Sequence, residues 1–191
     1  MLQVLHAMTD AAAFVRNARL DVLAANHLGA RLYAQVFDNP GLSANLARFV
    51  FLDRRATDFY RDWNGIAGEA VESLRQAAGR NPGDRALSQL VGHLSIHSEA
   101  FRTRWAAHDV RYYRSGTQSF RHPVAGDVDL DYDALELPAD PGLTIIAYTA
   151  PQDSAAHAAL TRLRSWAPDT PVVLNPDETQ GPAGEEPRYK S

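Results

Sequence analysis

The spacing of apolar residues changes along this chain, and each change marks a different kind of element. Residues 1–10 predict a short amphipathic helix, and residues 13–16 and 20–25 predict two strands. Asn17 and Ala18 are predicted at the turn between these strands, because asparagine tolerates the left-handed conformation of tight hairpins. The chain is therefore expected to begin with a helix and a β-hairpin.

A series of helices is predicted in the middle of the chain, where apolar residues follow a 3.6-residue period. Asn26, Asp84 and Ser98 can cap three of these helices, since their side chains accept hydrogen bonds from unpaired amides. The segment Asn39-Pro40-Gly41 ends the first helix, and Gly79 is predicted to end a later one. The apolar stripes are Leu28, Leu32 and Val36; Leu46, Phe49 and Val50; Trp63, Ile66, Ala67, Ala70, Val71 and Leu74; Leu87, Leu90, Val91 and Leu94; and Phe101 and Trp105.

Toward the end of the chain the period returns to two. Apolar and acidic residues alternate strictly between residues 127 and 133, as in an antiparallel strand with one face in solvent. Residues 143–149 are more continuously apolar and predict a more central strand. Ser154 is a predicted cap for a helix over residues 155–166. Two strands, several helices and three strands indicate an α+β fold, in which a helical half covers one face of an antiparallel sheet of about five strands.

Composition narrows the class of protein. The 191 residues are 45% hydrophobic, and no apolar run reaches the roughly 20 residues that span a bilayer. The start of the chain lacks the basic and apolar segments of a secretory signal, so we expect a cytoplasmic protein. We expect residues 1–167 to form the folded domain and residues 168–191 to form a tail rich in proline and glycine, disordered from about residue 178.

Charge and missing motifs argue against several functions. Without cysteine, the chain has no disulfide, no thiolate nucleophile and no cysteine-bound zinc. Its net charge of -4 is unlike that of a DNA-binding module standing alone, which usually carries a basic excess. It contains no G-x-S-x-G, Walker or G-x-G-x-x-G motif, so an enzyme, for which His122 or Tyr148 would be the candidate residues, is not expected. His93 and His97 are four residues apart, but this spacing alone is a weak indication of a metal site.

Eight short segments, weak singly but in a consistent order, carry a family resemblance. They are LDVLAAN at 20–26, NLARFVFLD at 45–53, FYRDW at 59–63, SEAF at 98–101, WAAHDV at 105–110, FRHPV at 120–124, LDY at 130–132 and YTA at 148–150. Together they resemble the ligand-binding domain of MmyB-like transcription regulators, bacterial proteins in which an XRE-family helix-turn-helix precedes a PAS-like sensor. Ala25 departs from the family, in which tryptophan is common at this position, and this difference could enlarge or reshape a cavity.

The resemblance implies a PAS-like domain that senses a fatty-acid-like molecule, because acyl chains occupy the family's cavity between sheet and helices. It implies no cofactor other than such a ligand, a homodimer, and DNA contact only through a helix-turn-helix that these residues do not include. The sequence would then be either a piece of a longer protein or a standalone sensor. The alternative is a dimerisation module with a closed core and no ligand.

The candidate ligand contacts are polar anchors and aromatic walls. Arg121, with His122 beside it, could hold a carboxylate; alternatively, Arg121 pairs with an acidic residue and His122 packs at a strand end. Asn45 and Arg48 could reach the same cavity, or be a helix cap and a solvated arginine. The aromatic candidates, each of which could instead belong to a plain core, are Phe49, Phe51, Trp63, Trp105, Tyr112 and Tyr148.

A local basic cluster could touch DNA or a partner protein. Its members are Arg102, Arg104, Arg111, Arg114 and Arg121. Asp109 and the aspartates of residues 127–133 are near enough in sequence to neutralise it. We therefore expect a solvated, salt-bridged face.

Overall fold

A computed structural model describes residues 2–38, 44–107 and 115–166. In these ranges the chain forms one antiparallel sheet of five strands in the order β2-β1-β5-β4-β3. The strands are β1 (Ala12–Arg16), β2 (Val22–Ala25), β3 (Ser115–His122), β4 (Gly126–Glu136) and β5 (Thr144–Thr149). The predicted α+β fold, with two strands before the helical half and three after it, is confirmed.

Helices fill the interval between the two groups of strands and flank the sheet at both ends of the described chain. They are α1 (Leu2–Ala7), α2 (His27–Leu32), α3 (Ala34–Phe37), α4 (Leu46–Leu52), α5 (Arg55–Phe59), α6 (Trp63–Arg80), α7 (Arg85–His97), α8 (Glu99–Ala106) and α9 (Ala155–Ser165). Side chains of Asn26, Asp84, Ser98 and Ser154 accept hydrogen bonds from the first turns of α2, α7, α8 and α9, as predicted. None of these described helices is both long enough and apolar enough to span a bilayer.

Local details of the first hairpin differ from the prediction. The left-handed residue is Leu20, with φ of 67°, and not Asn17. The Asn17 side chain instead accepts hydrogen bonds from the backbone N–H groups of Arg19 and Asp21, at 2.9 and 3.0 Å. These bonds fold the turn around the asparagine side chain, and β2 begins at Val22, two residues later than predicted.

The helical half also differs from the prediction. The helix predicted across Leu28, Leu32 and Val36 is two short helices, α2 and α3, which meet at Tyr33. Helix α5 was not predicted, because five residues are too few to display a stripe. Helix α6 continues through Gly79 to Arg80. The predicted tail beyond residue 167 lies outside the described residues.

The two faces of the sheet have different surroundings. The inner face packs on the helical half through a core that includes Phe14, Phe120 and Tyr148. On the outer face, α1 covers β1, β2 and β5 by burying Leu5 against a group of apolar side chains that includes Val15. The outer face of β4 carries the exposed aspartates 127, 129, 131 and 133. The apolar–acidic alternation of this strand thus corresponds to its buried and solvated faces.

Asn26 joins the first helix, the first strand and the inner helical layer. Its amide nitrogen donates to the carbonyl oxygens of Met8 and Ala11, at 2.7 and 2.8 Å. Its side-chain oxygen accepts from the N–H groups of Ala13 and Gly29, at 3.0 and 2.7 Å. Helix α2 therefore lies very close to β1, and a β-carbon added to Gly29 would stand 2.3 Å from the Ala13 carbonyl oxygen.

We predict that Gly29→Ala destabilises the fold by about 2 kcal/mol, because the backbone of β1 must move to admit a methyl group. The matched control is Gly92→Ala in α7, where an added β-carbon meets nothing within 4 Å. The control should stabilise the protein by about 0.5–1 kcal/mol through helix propensity. Urea unfolding of both variants measures the difference, and equal stabilities would contradict the close approach of α2 to β1.

Candidate ligand cavity

A cavity of about 90 Å³ lies between α6 and the inner face of the sheet. Ile66, Glu69, Ala70 and Ser73 line it from the helix. Their spacing of three, one and three residues places them on one face of α6. The sheet supplies the opposite wall through alternate residues of three strands, which are Phe14 and Arg16, Tyr132 and Ala134, and Ile146 and Tyr148. One helix face and one sheet face thus enclose the cavity.

Its floor is a chain of buried hydrogen-bonding side chains. The Tyr148 hydroxyl donates to Oε1 of Gln118 at 2.7 Å, and the hydroxyl oxygens of Tyr33 and Tyr148 are also 2.7 Å apart. Tyr60 is buried as well, and all four side chains line the cavity. Burial is the largest cause that raises the pKa of Tyr33, Tyr60 and Tyr148, so the hydroxyls stay neutral.

The charged groups of the cavity lie at its rim. Arg16 and Glu69 are both half-buried there. Burial raises the pKa of the Glu69 carboxyl, the charge of Arg16 opposes this effect, and the charge of Asp62 adds to it. The rim therefore holds an arginine whose acidic neighbour is partly desolvated.

Two larger surface clefts adjoin the cavity. Beyond Arg16 and Ser73, which line both spaces, a cleft of about 360 Å³ extends between the end of α6 and the β4–β5 loop. This cleft also contains Arg80. Beyond Ile66 and Gln118, a cleft of about 770 Å³ lies between the start of α6 and β3. Larger spaces thus adjoin the cavity at both ends.

Of the aromatic residues predicted to line a pocket, Tyr148 lines this cavity. Phe49 belongs to the main core, and Phe51 packs against Phe101 with ring centroids 5.0 Å apart. The indole of Trp63 donates to the Val50 carbonyl oxygen at 2.9 Å, and Trp105 stacks on Phe101. These four side chains pack within the helical half, outside the cavity wall. Tyr112 lies outside the described residues.

Asn45 and Arg48 also lie outside the wall. Asn45 caps α4 by accepting from the Arg48 N–H at 2.9 Å. Its amide nitrogen donates to the Arg19 carbonyl oxygen and to the Asp21 carboxylate, at 2.9 and 2.7 Å. Arg48 is half-exposed. Asn45 therefore ties α4 to the first hairpin.

Arg121 lies on the outward-facing side of β3, opposite Asp127 of β4, with its Nε 3.5 Å from the Asp127 carboxylate. His122 is buried at the end of β3. Its Nδ1 accepts from the N–H groups of Val124 and Ala125. Its Nε2 therefore carries the proton and donates to the backbone carbonyl oxygen of Arg31. Burial lowers the pKa of His122. Neither side chain lines the cavity, and whether either contacts a ligand stays a prediction.

The described members of the basic cluster make local contacts. Arg102 donates to the Ser95 carbonyl oxygen at 3.3 Å, and Arg104 donates to the Asn64 side chain at 2.6 Å. Arg111 and Arg114 lie outside the described residues.

His93 and His97 have ring centroids 4.5 Å apart on α7. Among the described residues, no group of three or more possible metal ligands comes together.

Seven polar residues of the cavity were not predicted as site residues from the sequence, namely Arg16, Tyr33, Tyr60, Glu69, Ser73, Gln118 and Tyr132. A signal did exist for Arg16, because it follows Phe14 by two residues in a predicted strand and must share its face. A signal also existed for Glu69, which falls on the α6 stripe with Ile66. No local pattern singles out Tyr33 or Gln118, whose roles depend on contacts between distant parts of the chain.

Comparison with known proteins identifies a family. A family model described as the MmyB-like transcription regulator ligand binding domain matches residues 1–163. No curated protein matches the chain. The family match covers the sheet, α6 and the whole described wall of the cavity.

We predict that folding stability falls as the pH rises above about 10, the ordinary pKa of tyrosine. The unfolded chain then releases protons that the buried hydroxyls of Tyr33, Tyr60 and Tyr148 retain in the folded state, so stability is lost with rising pH. Well above pH 10, each such tyrosine lowers the free energy of unfolding by about 1.4 kcal/mol per pH unit.

Denaturant unfolding between pH 9 and 11 measures this slope. Tyr60→Phe should reduce it by the contribution of one tyrosine, whatever its effect on stability at neutral pH. A slope that is the same in the parent and in Tyr60→Phe would mean that Tyr60 ionises normally in the folded protein.

Proposed function

Because the chain belongs to the family of MmyB-like transcription regulator ligand-binding domains, we propose that it senses a fatty-acid-like molecule in the cavity between α6 and the sheet. The observation that carries this proposal is the combination of apolar walls with an arginine at the rim. A lipophilic acid needs both, since its chain must leave water and its carboxylate must keep a partner.

Arg16 is the anchor that we propose for the carboxylate. Its guanidinium can present two parallel donors to a carboxylate. The neighbouring Glu69 has a raised pKa and so gives up its charge more readily than an exposed glutamate when an acid binds. Arg121 is a weaker candidate, because it faces Asp127 outside the cavity. Tyr148, Phe14 and other residues of the sheet would contact the acyl chain.

The size of the cavity limits how the ligand fits. Sites for drug-sized molecules measure about 300–1,000 Å³, whereas the enclosed space here is about 90 Å³. An acyl chain that runs from Arg16 along the sheet toward Tyr148 must therefore push α6 away from the sheet. Binding then changes the shape of the domain, as a sensor requires.

A response to the ligand would be passed to a DNA-binding helix-turn-helix attached to this domain, in a bacterial, cytoplasmic homodimer. Such coupling requires that the ligand favours one arrangement of the domain over another. Strands β1 and β5 suit this role, because their inner faces line the cavity and their outer faces pack against α1. A shift of these strands would move α1.

The second candidate function is a dimerisation module with a closed core. Two observations favour it. The enclosed volume is small, and the polar groups of Tyr33, Tyr148 and Gln118 already satisfy one another without a ligand. Such a core is complete as it stands, and the domain would then act through its surface alone.

Native mass spectrometry of freshly purified protein separates the two functions. A sensor is expected to carry a releasable small molecule, or to gain one after incubation with decanoate. A closed module is expected to show the mass of the polypeptide alone, before and after incubation. The same spectra give the oligomeric state, which tests the proposed homodimer.

We predict that Arg16→Gln weakens decanoate binding about tenfold to a hundredfold, because the carboxylate loses a charged hydrogen-bond partner. Arg121→Gln is the matched control, since it removes the same charge from another strand of the sheet outside the cavity. Isothermal titration of both variants measures the effect. Loss of binding in Arg121→Gln alone would move the anchor to the outer face of the sheet.

A further inference from the structure

The floor of the cavity contains more hydrogen-bonding groups than an acyl chain can use. The hydroxyl of Tyr148 has a single proton, and it donates that proton to Gln118. In the 2.7 Å contact between the two tyrosines, Tyr33 must therefore be the donor. The chain runs in one direction, from Tyr33 through Tyr148 to Gln118.

Because these hydrogen bonds run in one direction, they determine which polar atoms can still bond to a ligand. A hydroxyl oxygen has two lone pairs, and the bond from Tyr33 uses one of those of Tyr148. The other lone pair of Tyr148 and those of Tyr33 can accept from a ligand hydroxyl, and the amide nitrogen of Gln118 can donate to a ligand oxygen. All three residues belong to the cavity lining.

A ligand group that binds at the floor must also be uncharged. Tyr33, Tyr60 and Tyr148 are neutral and fully buried, and Gln118 carries no charge. A carboxylate at the floor would lose its hydration without gaining a cation, which disfavours it strongly. The floor therefore suits a neutral hydroxyl or carbonyl oxygen, whereas the rim with Arg16 suits the acid.

The register of β1 and β5 gives the distance between the Arg16 and Tyr148 ends of the cavity. Tyr148 pairs with Ala12, and Arg16 pairs with Thr144. Four residues separate these levels on each strand, which corresponds to about 13 Å along the sheet. Phe14 and Ile146 line the interval with apolar surface. The inner face of the sheet thus presents a charged end, an apolar middle and a neutral polar end.

We propose that the ligand is polar at both ends. It is a medium-chain acid with a neutral oxygen function, a hydroxyl or a carbonyl, near the far end of its chain, and the tyrosine–glutamine chain recognises that oxygen. This inference rests on the proposed function and narrows its ligand from any fatty acid to an oxygenated one. A plain acyl chain would leave its methyl end against hydroxyls that it cannot pair with.

Three acids of equal chain length test the inference by isothermal titration. They are decanoate, ω-hydroxydecanoate and 3-hydroxydecanoate, whose hydroxyl lies beside the carboxylate. We expect ω-hydroxydecanoate to bind about tenfold more tightly than either of the others, the gain of about one buried hydrogen bond. The isomer controls for added polarity, because it carries the same hydroxyl at the other end of the chain.

A variant then assigns the preference to the floor. Tyr148→Phe interrupts the chain between Tyr33 and Gln118, and it should reduce the tenfold preference for ω-hydroxydecanoate over decanoate to nearly none. Arg121→Gln, outside the cavity, should keep the preference. Retention of the preference in Tyr148→Phe would overturn the role of the tyrosine–glutamine chain.

If Tyr148→Phe does not fold, titration of the unmodified protein with the three acids still tests the inference. Equal binding of decanoate and ω-hydroxydecanoate would overturn this inference and leave the sensing of a fatty acid intact. Equal gains for the two hydroxy acids would also overturn it, because recognition would then lie near the rim. If none of the three acids binds, the proposed function fails first and this inference falls with it.

Discussion

The hydrogen bonds of Asn26 hold together the parts of the molecule that form the cavity. Through them the loop after α1, the first residues of β1 and the start of α2 share one buried side chain. Because Gly29 has no β-carbon, α2 can lie directly on β1. Tyr33 follows α2, so this close contact brings its hydroxyl to Tyr148 on β5. The cavity floor thus depends on an asparagine and a glycine that do not themselves line the cavity.

The cavity separates neutral from charged groups by burial. Its buried polar side chains carry hydroxyl and amide groups that pair with one another, which avoids the cost of buried unpaired polar atoms. Its rim holds Arg16 and Glu69, where solvent is near enough to support charge. The same physical rule, that burial penalises ions more than dipoles, explains both the raised pKa values of the tyrosines and the position of the arginine.

Elements determined by local chemistry were predictable from the sequence. The caps at Asn26, Asp84, Ser98 and Ser154 depend on a side chain and the turn that follows it, and the buried face of β4 follows from its alternation. Helix α5 was missed because it is short. The left-handed Leu20 was missed because the Asn17 side chain, rather than its backbone conformation, forms the turn.

The site was less predictable because it depends on which face of each strand is covered. Arg16 lies in a predicted strand, but Arg121 was the predicted anchor. In the fold, Arg16 shares the inner face with Phe14, whereas Arg121 stands across from Asp127 on the outside. The pairing of Tyr33 with Tyr148 joins segments far apart in the chain, and no periodicity reports such a contact.

The pairing of β1 with β5 has a consequence for how the protein is made. Strand β1 lies between β2 and β5, so one of its edges is unpaired until residues 144–149 are available. During synthesis, the first hairpin therefore leaves the ribosome with an open edge, and the whole helical half is translated before that edge is paired. Such long-range pairing slows folding and exposes the nascent chain to aggregation. Because of this strand order, the first hairpin can join the complete sheet only after β5 has been synthesised.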